Sequence, residues 1–246
     1  MNLSDRVRLH RHQAEWSRPM RRELYRRVRL ASRESVLEVG CGDGLITREM
    51  AEICRGRVMG VDIDPQMVQI AKEAPGRVEF QIADAHSLPF EKKSFDLVTA
   101  HWVMLWLEHP QKALKEFHRV LKPDGTLLLA CEPDYGGRIV YPREAELKEE
   151  LIEALVAEGA DPMIGRKLGS LFPEAGFSAT IGVYPGVWDA SVEKATLQNE
   201  IEWLELMLKD RLPEPQLSPA LSALRESLSQ NKLLIYMPVF WAIGRV

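Results

Sequence analysis

The residues best placed to do chemistry form the run Glu38-Val39-Gly40-Cys41-Gly42-Asp43-Gly44. Its glycines let the backbone take positive φ and pass close to a ligand. A dinucleotide turn needs Gly-x-Gly-x-x-Gly, so that a helix N-terminus can hold a pyrophosphate. Here the spacing is Gly-x-Gly-x-Gly, and Leu45 stands where that motif has its third glycine. Glu38 precedes the first glycine by two residues. A carboxylate there suits a cation and opposes a phosphate. Asp62, about twenty residues beyond the glycines, can accept both hydroxyls of a ribose. Asp84, after the next apolar run, can accept from an adenine amino group.

Three carboxylates behind one Gly-rich turn therefore describe a nucleoside with a positively charged tail. S-adenosylmethionine, with a sulfonium, an ammonium and no phosphate, has that chemistry. Further candidates follow the fourth and fifth strands. His101 titrates near neutrality and can act as a base or simply shape the cofactor pocket. The segment from Glu132 through Tyr141 offers two tyrosines, an arginine and two acids. In it, Glu132 or Tyr135 can orient an amine or hydroxyl. Trp102, Met104 and Trp106 read as apolar pocket or as core. His86 reads as a loop residue on the adenine side, and His109 and His118 as surface residues. His10 and His12 resemble a two-ligand metal pair, but no acidic or cysteine partner follows, so they read as a mobile tail. Cys41, Cys54 and Cys131 form no metal-ligand spacing, and three free thiols suit a reducing compartment. No metal is expected.

These residues need elements to position them. Strands are expected at Ser35 to Val39, Arg57 to Asp62, Val78 to Ala83, Phe95 to Ala100 and Thr126 to Glu132. Helices are expected at Leu45 to Cys54, Pro65 to Glu73 and Gln111 to Leu121, with a turn at Lys122 to Gly125. Such alternation implies parallel βαβ units in a doubly wound sheet, which binds ligands at the carboxyl ends of its strands. Beyond Glu132 the rhythm changes. Helices are expected at Arg143 to Glu158 and Gly165 to Ala175, and strands at Phe177 to Val187 and Leu233 to Gly244.

The runs VLEVGCGDG, VDID, ADAHSLPF, FDLVTAHWVMLWL and RVLKPDGTLLLACEPD, with GRKLGSLFPEAGF later, resemble the class I S-adenosylmethionine-dependent methyltransferases. The likeness is to the ubiquinone- and menaquinone-biosynthesis branch, methyltransferase type 11, over residues 12–187 and the last strand. It implies an α/β fold with a seven-stranded, mostly parallel Rossmann-like sheet of order 3-2-1-4-5-7-6 and helices on both faces. It implies S-adenosyl-L-methionine as cofactor, with S-adenosyl-L-homocysteine as product, and a small-molecule methyl acceptor with an O-, N- or C-nucleophile. The methionine end then lies near Glu38, Gly40, Cys41, Gly42 and His101. The ribose lies on Asp62, and the adenine near Ile63, Met67, Asp84, Ala85 and His86. Tyr25 reaches the pocket from the segment before the first strand. His101 and Tyr135 are the candidate catalytic residues.

The rest of the chain sets limits. It has 246 residues, 46% hydrophobic and 28% charged, with no run of about 18–20 uncharged apolar residues that would span a membrane. The polar N-terminus lacks a secretory core, so a cytoplasmic location is expected. Net charge is −4, yet residues 1–33 hold ten arginines against three acids, leaving the remainder at −11. Within this arm, residues 12–30 read as one helix. Trp16, Met20, Leu24 and Val28 form its apolar stripe, and Arg18, Arg21, Arg22, Arg26 and Arg29 point elsewhere. That pattern predicts a lid over residues 34–187 and 233–246, the cofactor-binding domain. A nucleic-acid grip is disfavoured, because phosphate attraction needs no stripe. Residues 188–232 read as a helical insertion, too apolar for a free surface, covering the substrate crevice or forming a homodimer contact. An RNA methyltransferase and a non-catalytic cofactor-binding protein are the competing readings.

Overall fold

The computed structural model describes residues 3–189 and 194–246. Helices α1 (Leu3–Trp16) and α2 (Arg18–Arg27) precede β1 (Ser35–Val39), α3 (Leu45–Ile53), β2 (Arg57–Asp62), α4 (Pro65–Glu73) and β3 (Glu79–Ile82). Next come β4 (Phe95–Ala100), α5 (Pro110–Val120), β5 (Leu121–Pro133) and a short β6 (Ile139–Tyr141). The chain ends with α6 (Lys148–Ala157), α7 (Ile164–Glu174), β7 (Ser178–Trp188), α8 (Lys194–Leu208), α9 (Glu214–Ser229) and β8 (Leu234–Arg245).

The sheet runs β3-β2-β1-β4-β5-β8-β6, with β7 on the other edge of β8. The first five strands pair in parallel, and β8 is antiparallel to β5, β6 and β7. Without the short β6 this is the expected order. Because β7 already pairs with Ile235 and Tyr236, β6 meets those residues from the other side and continues the β5 edge. Leu37, Leu97, Val98, Leu127, Leu128 and Leu129 are fully buried, so helices cover both faces of the central strands.

Three local expectations need correction. The turn at Lys122 to Gly125 does not end a helix–strand connection. It is a bulge inside a continuous β5, where pairing steps from Phe95–Leu121 to Leu97–Thr126 and Asp124 takes φ +63°. The expected helix at 143–158 starts as a short 3-10 turn and becomes α6 only at Lys148. The arm is two helices, not one. Ser17 separates them, and Pro19 in the first turn of α2 has no N–H to donate back into α1.

The arm is fastened to the body by its stripe and by one arginine. Met20, Leu24, Tyr25 and Val28 are buried. Arg21 does not point outward as expected; it is buried, with Nη2 2.5 Å from Glu49 Oε2 and Nη1 2.6 Å from both the Ala14 carbonyl and Ser17 Oγ. Removing a guanidinium from water is costly unless it is paired and hydrogen-bonded, and these partners meet that condition. The expected insertion is α8 and α9, lying between β7 and β8 in the chain. Its residues 190–193, like residues 1–2 of the arm, lie outside the described residues.

Candidate active site

The turn after β1 bends at three glycines, Gly40 at φ +72°, Gly42 at +53° and Gly44 at +76°. A Cβ at Gly40 would collide with Val103, and one at Gly42 with the His10 ring. Asp62, at the tip of β2, holds this turn open. Its Oδ2 accepts from the Gly42 N–H at 2.8 Å and its Oδ1 from the Asp64 N–H at 2.9 Å. A carboxylate has about four acceptor sites, so capacity remains for ribose hydroxyls.

Beneath the turn lies a buried polar line. Glu38 Oε2 accepts from Thr47 Oγ1 at 2.5 Å, and Glu38 Oε1 is 3.1 Å from His101 Nδ1. The opposite ring nitrogen, Nε2, is 3.4 Å from the Tyr25 hydroxyl. Parallel pairing of β1 with β4 brings Glu38 beside Thr99 and Val39 beside Ala100, which carries His101 to the turn. Burial lowers the His101 pKa, opposed by Glu38, and burial raises the Tyr25 pKa well above the usual phenol value. Both groups are therefore neutral near pH 7. A neutral imidazole whose Nδ1 faces a carboxylate keeps Nε2 as a proton acceptor.

The other expected cofactor residues differ in what they present. Ile63, beside Asp62, is 67% exposed, which is unusual for an isoleucine and suits a face for a flat ring. Asp84 Oδ1 accepts from the His86 N–H at 2.8 Å and from His86 Nδ1 at 2.7 Å. These bonds hold the Asp84 pKa below the usual carboxylate value. His86 in turn meets the His109 ring edge-on at 6.1 Å. Ala85 and Met67 are buried. The Cys41 side chain packs inward with Val68, Ala71 and Phe80, so that residue turns only its backbone to the crevice.

Helix α1 supplies residues that spacing alone did not reveal. His10 and His12 are not in a mobile tail; they lie in α1, with the His10 ring against Gly42 and His12 buried. Arg6 pairs with Asp64 and donates to Gln66 Oε1, while Arg11 Nε is 3.2 Å from Asp43 Oδ2. Arg8 reaches Glu202 on α8 at 2.8 Å, and Asn199 Nδ2 lies 3.3 Å from His12 Nδ1. One helix thus touches the glycine turn on one side and α8 on the other. The acid surplus of the body was the only signal in the sequence.

In the segment expected to face the acceptor, Glu132 is not turned toward the crevice. It is fully buried and accepts from the Met104 N–H at 3.1 Å and the Val103 N–H at 3.4 Å, bracing the loop after β4. Burial pushes its pKa up to about 8, against those backbone bonds. Met104 is core, Trp106 is exposed, and Trp102 lines a cavity of about 20 Å³ with Tyr135, Trp16, Trp188 and Trp203. Trp102 holds φ +57°, an uncommon conformation for an aromatic residue, at the exit of β4.

The residues fit S-adenosylmethionine. The turn presents bare backbone at its glycines, the acids stand at or beside three adjacent strand tips, and Arg6 and Arg11 nearby are already paired to carboxylates. Fold and site together resemble those of the class I S-adenosylmethionine-dependent methyltransferase domains, a family whose cofactor is S-adenosylmethionine. Residues 37–129 match the family described as methyltransferase domain. Over 114 residues the chain is 35% identical to demethylmenaquinone methyltransferase of Chlorobaculum tepidum, covering 46% of this chain and 44% of that one. It is 30% identical over 165 residues to a mitochondrial arginine-hydroxylase of Mus musculus, covering 62% and 47%. Among solved structures it resembles phosphoethanolamine N-methyltransferase 2 of Haemonchus contortus, bound to phosphomonomethylethanolamine and S-adenosylhomocysteine. The TM-score is 0.56 at 20% identity, covering 86% of this chain and 48% of that one. The chain spans about half the length of the curated relatives it matches. Among the described residues, no helix is long and apolar enough to cross a membrane, and no cluster of His, Cys, Asp and Glu is arranged to hold a metal.

Proposed function

We propose that the chain transfers a methyl group from S-adenosylmethionine to a small-molecule acceptor by in-line displacement. The observation that carries this reading is the buried Glu38–His101–Tyr25 line beside the glycine turn. The bound cofactor supplies an activated methyl group on a sulfonium, so the protein mainly has to orient the partners. Asp62 holds the ribose. Asp84, with Ile63, Met67, Ala85 and His86, holds the adenine. Gly40, Cys41 and Gly42 pass their backbone along the methionine end. Glu38 fixes the His101 ring through Nδ1, so that Nε2 can take a proton from a hydroxyl or amine acceptor. Tyr25 positions that nitrogen, and Tyr135 shapes the acceptor side.

Residues 1–33 act as a lid and 188–232 as a roof over the domain formed by 34–187 and 233–246. The arm's arginines favour this over a nucleic-acid grip, because Arg6, Arg8, Arg11 and Arg21 already have carboxylate partners in the same chain. Calorimetry with S-adenosylmethionine, followed by assay of S-adenosylhomocysteine release against pooled metabolites, tests the reading. Absence of cofactor binding would remove its basis. Binding without turnover on any pool would favour a non-catalytic role.

A further inference from the structure

The cavity between α1, α8 and the tips of β4 and β5 has an unusual wall. Four of the chain's six tryptophans, Trp16, Trp102, Trp188 and Trp203, line it together with Tyr135. Trp16 meets Trp102 edge-on at 5.7 Å and Trp188 at 5.0 Å, and Tyr135 stacks on Trp203 at 6.0 Å. Indole and phenol faces carry negative charge density and attract cations.

The formal charge of the wall has the same sign. Among the described residues no lysine or arginine lines the cavity, and Glu200, only 7% exposed, does. His12 is the wall's other ionisable group besides Tyr135, and burial lowers its pKa to about 4, so it is neutral at pH 7. Buried Arg138 stands behind Glu200, its Nη2 3.7 Å from Oε1 and its Nη1 3.1 Å from Glu146 Oε1. One guanidinium thus faces two carboxylates, and burial raises the Glu200 pKa against the pull of Arg138, so a cation bound in the cavity is what would hold that carboxyl ionised. At 3.7 Å no hydrogen bond forms, and Glu200 Oε1 and Arg138 Nη2 are both left without a partner. A buried carboxylate oxygen without a donor is costly unless a ligand provides one.

We propose that this cavity recognises the methyl acceptor by a cationic nitrogen, set against the indole faces with Glu200 as its counter-ion. The proposal rests on the methyl-transfer reading, since it takes this cavity as the acceptor side of the site. Size agrees with it. A cavity needs about 10–15 Å³ on this measure to hold one water, and an ammonium head is of similar size. A neutral aromatic acceptor would use the same walls and leave Glu200 Oε1 unsatisfied.

The test compares n-butylammonium with 1-butanol, which share a chain and differ in charge. Both are titrated at pH 7 into the full chain saturated with S-adenosylhomocysteine, read by calorimetry and tryptophan fluorescence. The ammonium is expected to bind at least tenfold tighter, and Glu200→Gln to remove most of that preference. Equal affinities, a preference for butanol, no binding of either probe, or a preference that survives intact in a folded Glu200→Gln protein overturns the proposal. Should that variant fail to fold, the comparison in the unaltered chain decides. A separate titration with S-adenosylmethionine separates the two readings. Cofactor binding without ammonium preference sinks only this inference, whereas loss of cofactor binding sinks the methyl-transfer reading itself.

Discussion

The Tyr25 hydroxyl lies 3.4 Å from His101 Nε2, joining the N-terminal arm to the tip of β4. The same ring faces Glu38 at its other nitrogen. Any movement of α2 therefore reaches the imidazole at the tip of β4, and the arm is tied to the site by a polar contact as well as by packing.

His101→Gln is expected to lower turnover by about 10²-fold or more, the usual worth of a positioned base, with cofactor affinity changed less than fivefold. Turnover close to that of the unaltered protein, measured across pH 6–9, would show that His101 shapes the pocket and moves no proton.

Asp62→Ala should weaken S-adenosylmethionine binding by about 1–3 kcal/mol, the cost of leaving hydroxyls without an acceptor. Because Asp62 also accepts from the Gly42 and Asp64 N–H groups, Tm should fall by a few degrees too. Calorimetry on the folded variant giving an unchanged Kd would refute the ribose assignment.

Deleting residues 1–16 removes His10, Arg6 and Arg11 from the glycine turn while sparing Leu24, Tyr25, Val28 and Leu30. The shortened protein should fold, bind cofactor more weakly and turn over more slowly. Deletion of residues 1–30 should instead give little soluble protein, since those four residues are buried. Full activity after the shorter deletion would defeat the lid.

Arg21→Ala should destabilise the fold by about 3–5 kcal/mol, because it leaves Glu49 buried without its main partner. A joint Arg21→Met, Glu49→Leu replacement should recover much of that loss. Denaturant unfolding of the three variants checks it, and an unaffected Arg21→Ala protein would mean the pair contributes nothing.

Glu132 gives stability a pH dependence. Its folded pKa of about 8 lies above the ordinary 4.5, so between those values the folded chain keeps a proton that the unfolded chain releases. The contribution is fully present below about pH 4.5 and is lost as pH rises through 8. Relative to Glu132→Gln, the unaltered protein should therefore lose Tm between pH 5 and 9. Parallel Tm profiles for the two would contradict the assignment.

The sequence by itself determined the βαβ framework and the cofactor turn. β1, β2, β4 and α4 have the bounds that apolar period, capping and glycine spacing dictate, because those signals act over a few neighbouring residues. The acids at the strand tips were legible for the same reason: a strand that ends in a known place ends in a known residue. What only the tertiary structure decided are the long-range pairings. Arg21 is buried because Glu49, 28 residues on, meets it. His12 is held in a helix against Asn199, 187 residues away. Glu132 turns into the core because the Val103 and Met104 N–H groups need an acceptor, and four tryptophans from the arm, the β4 exit, β7 and α8 close one cavity. A polar side chain near the core goes where its partner is, and folding places that partner beyond the reach of any local pattern.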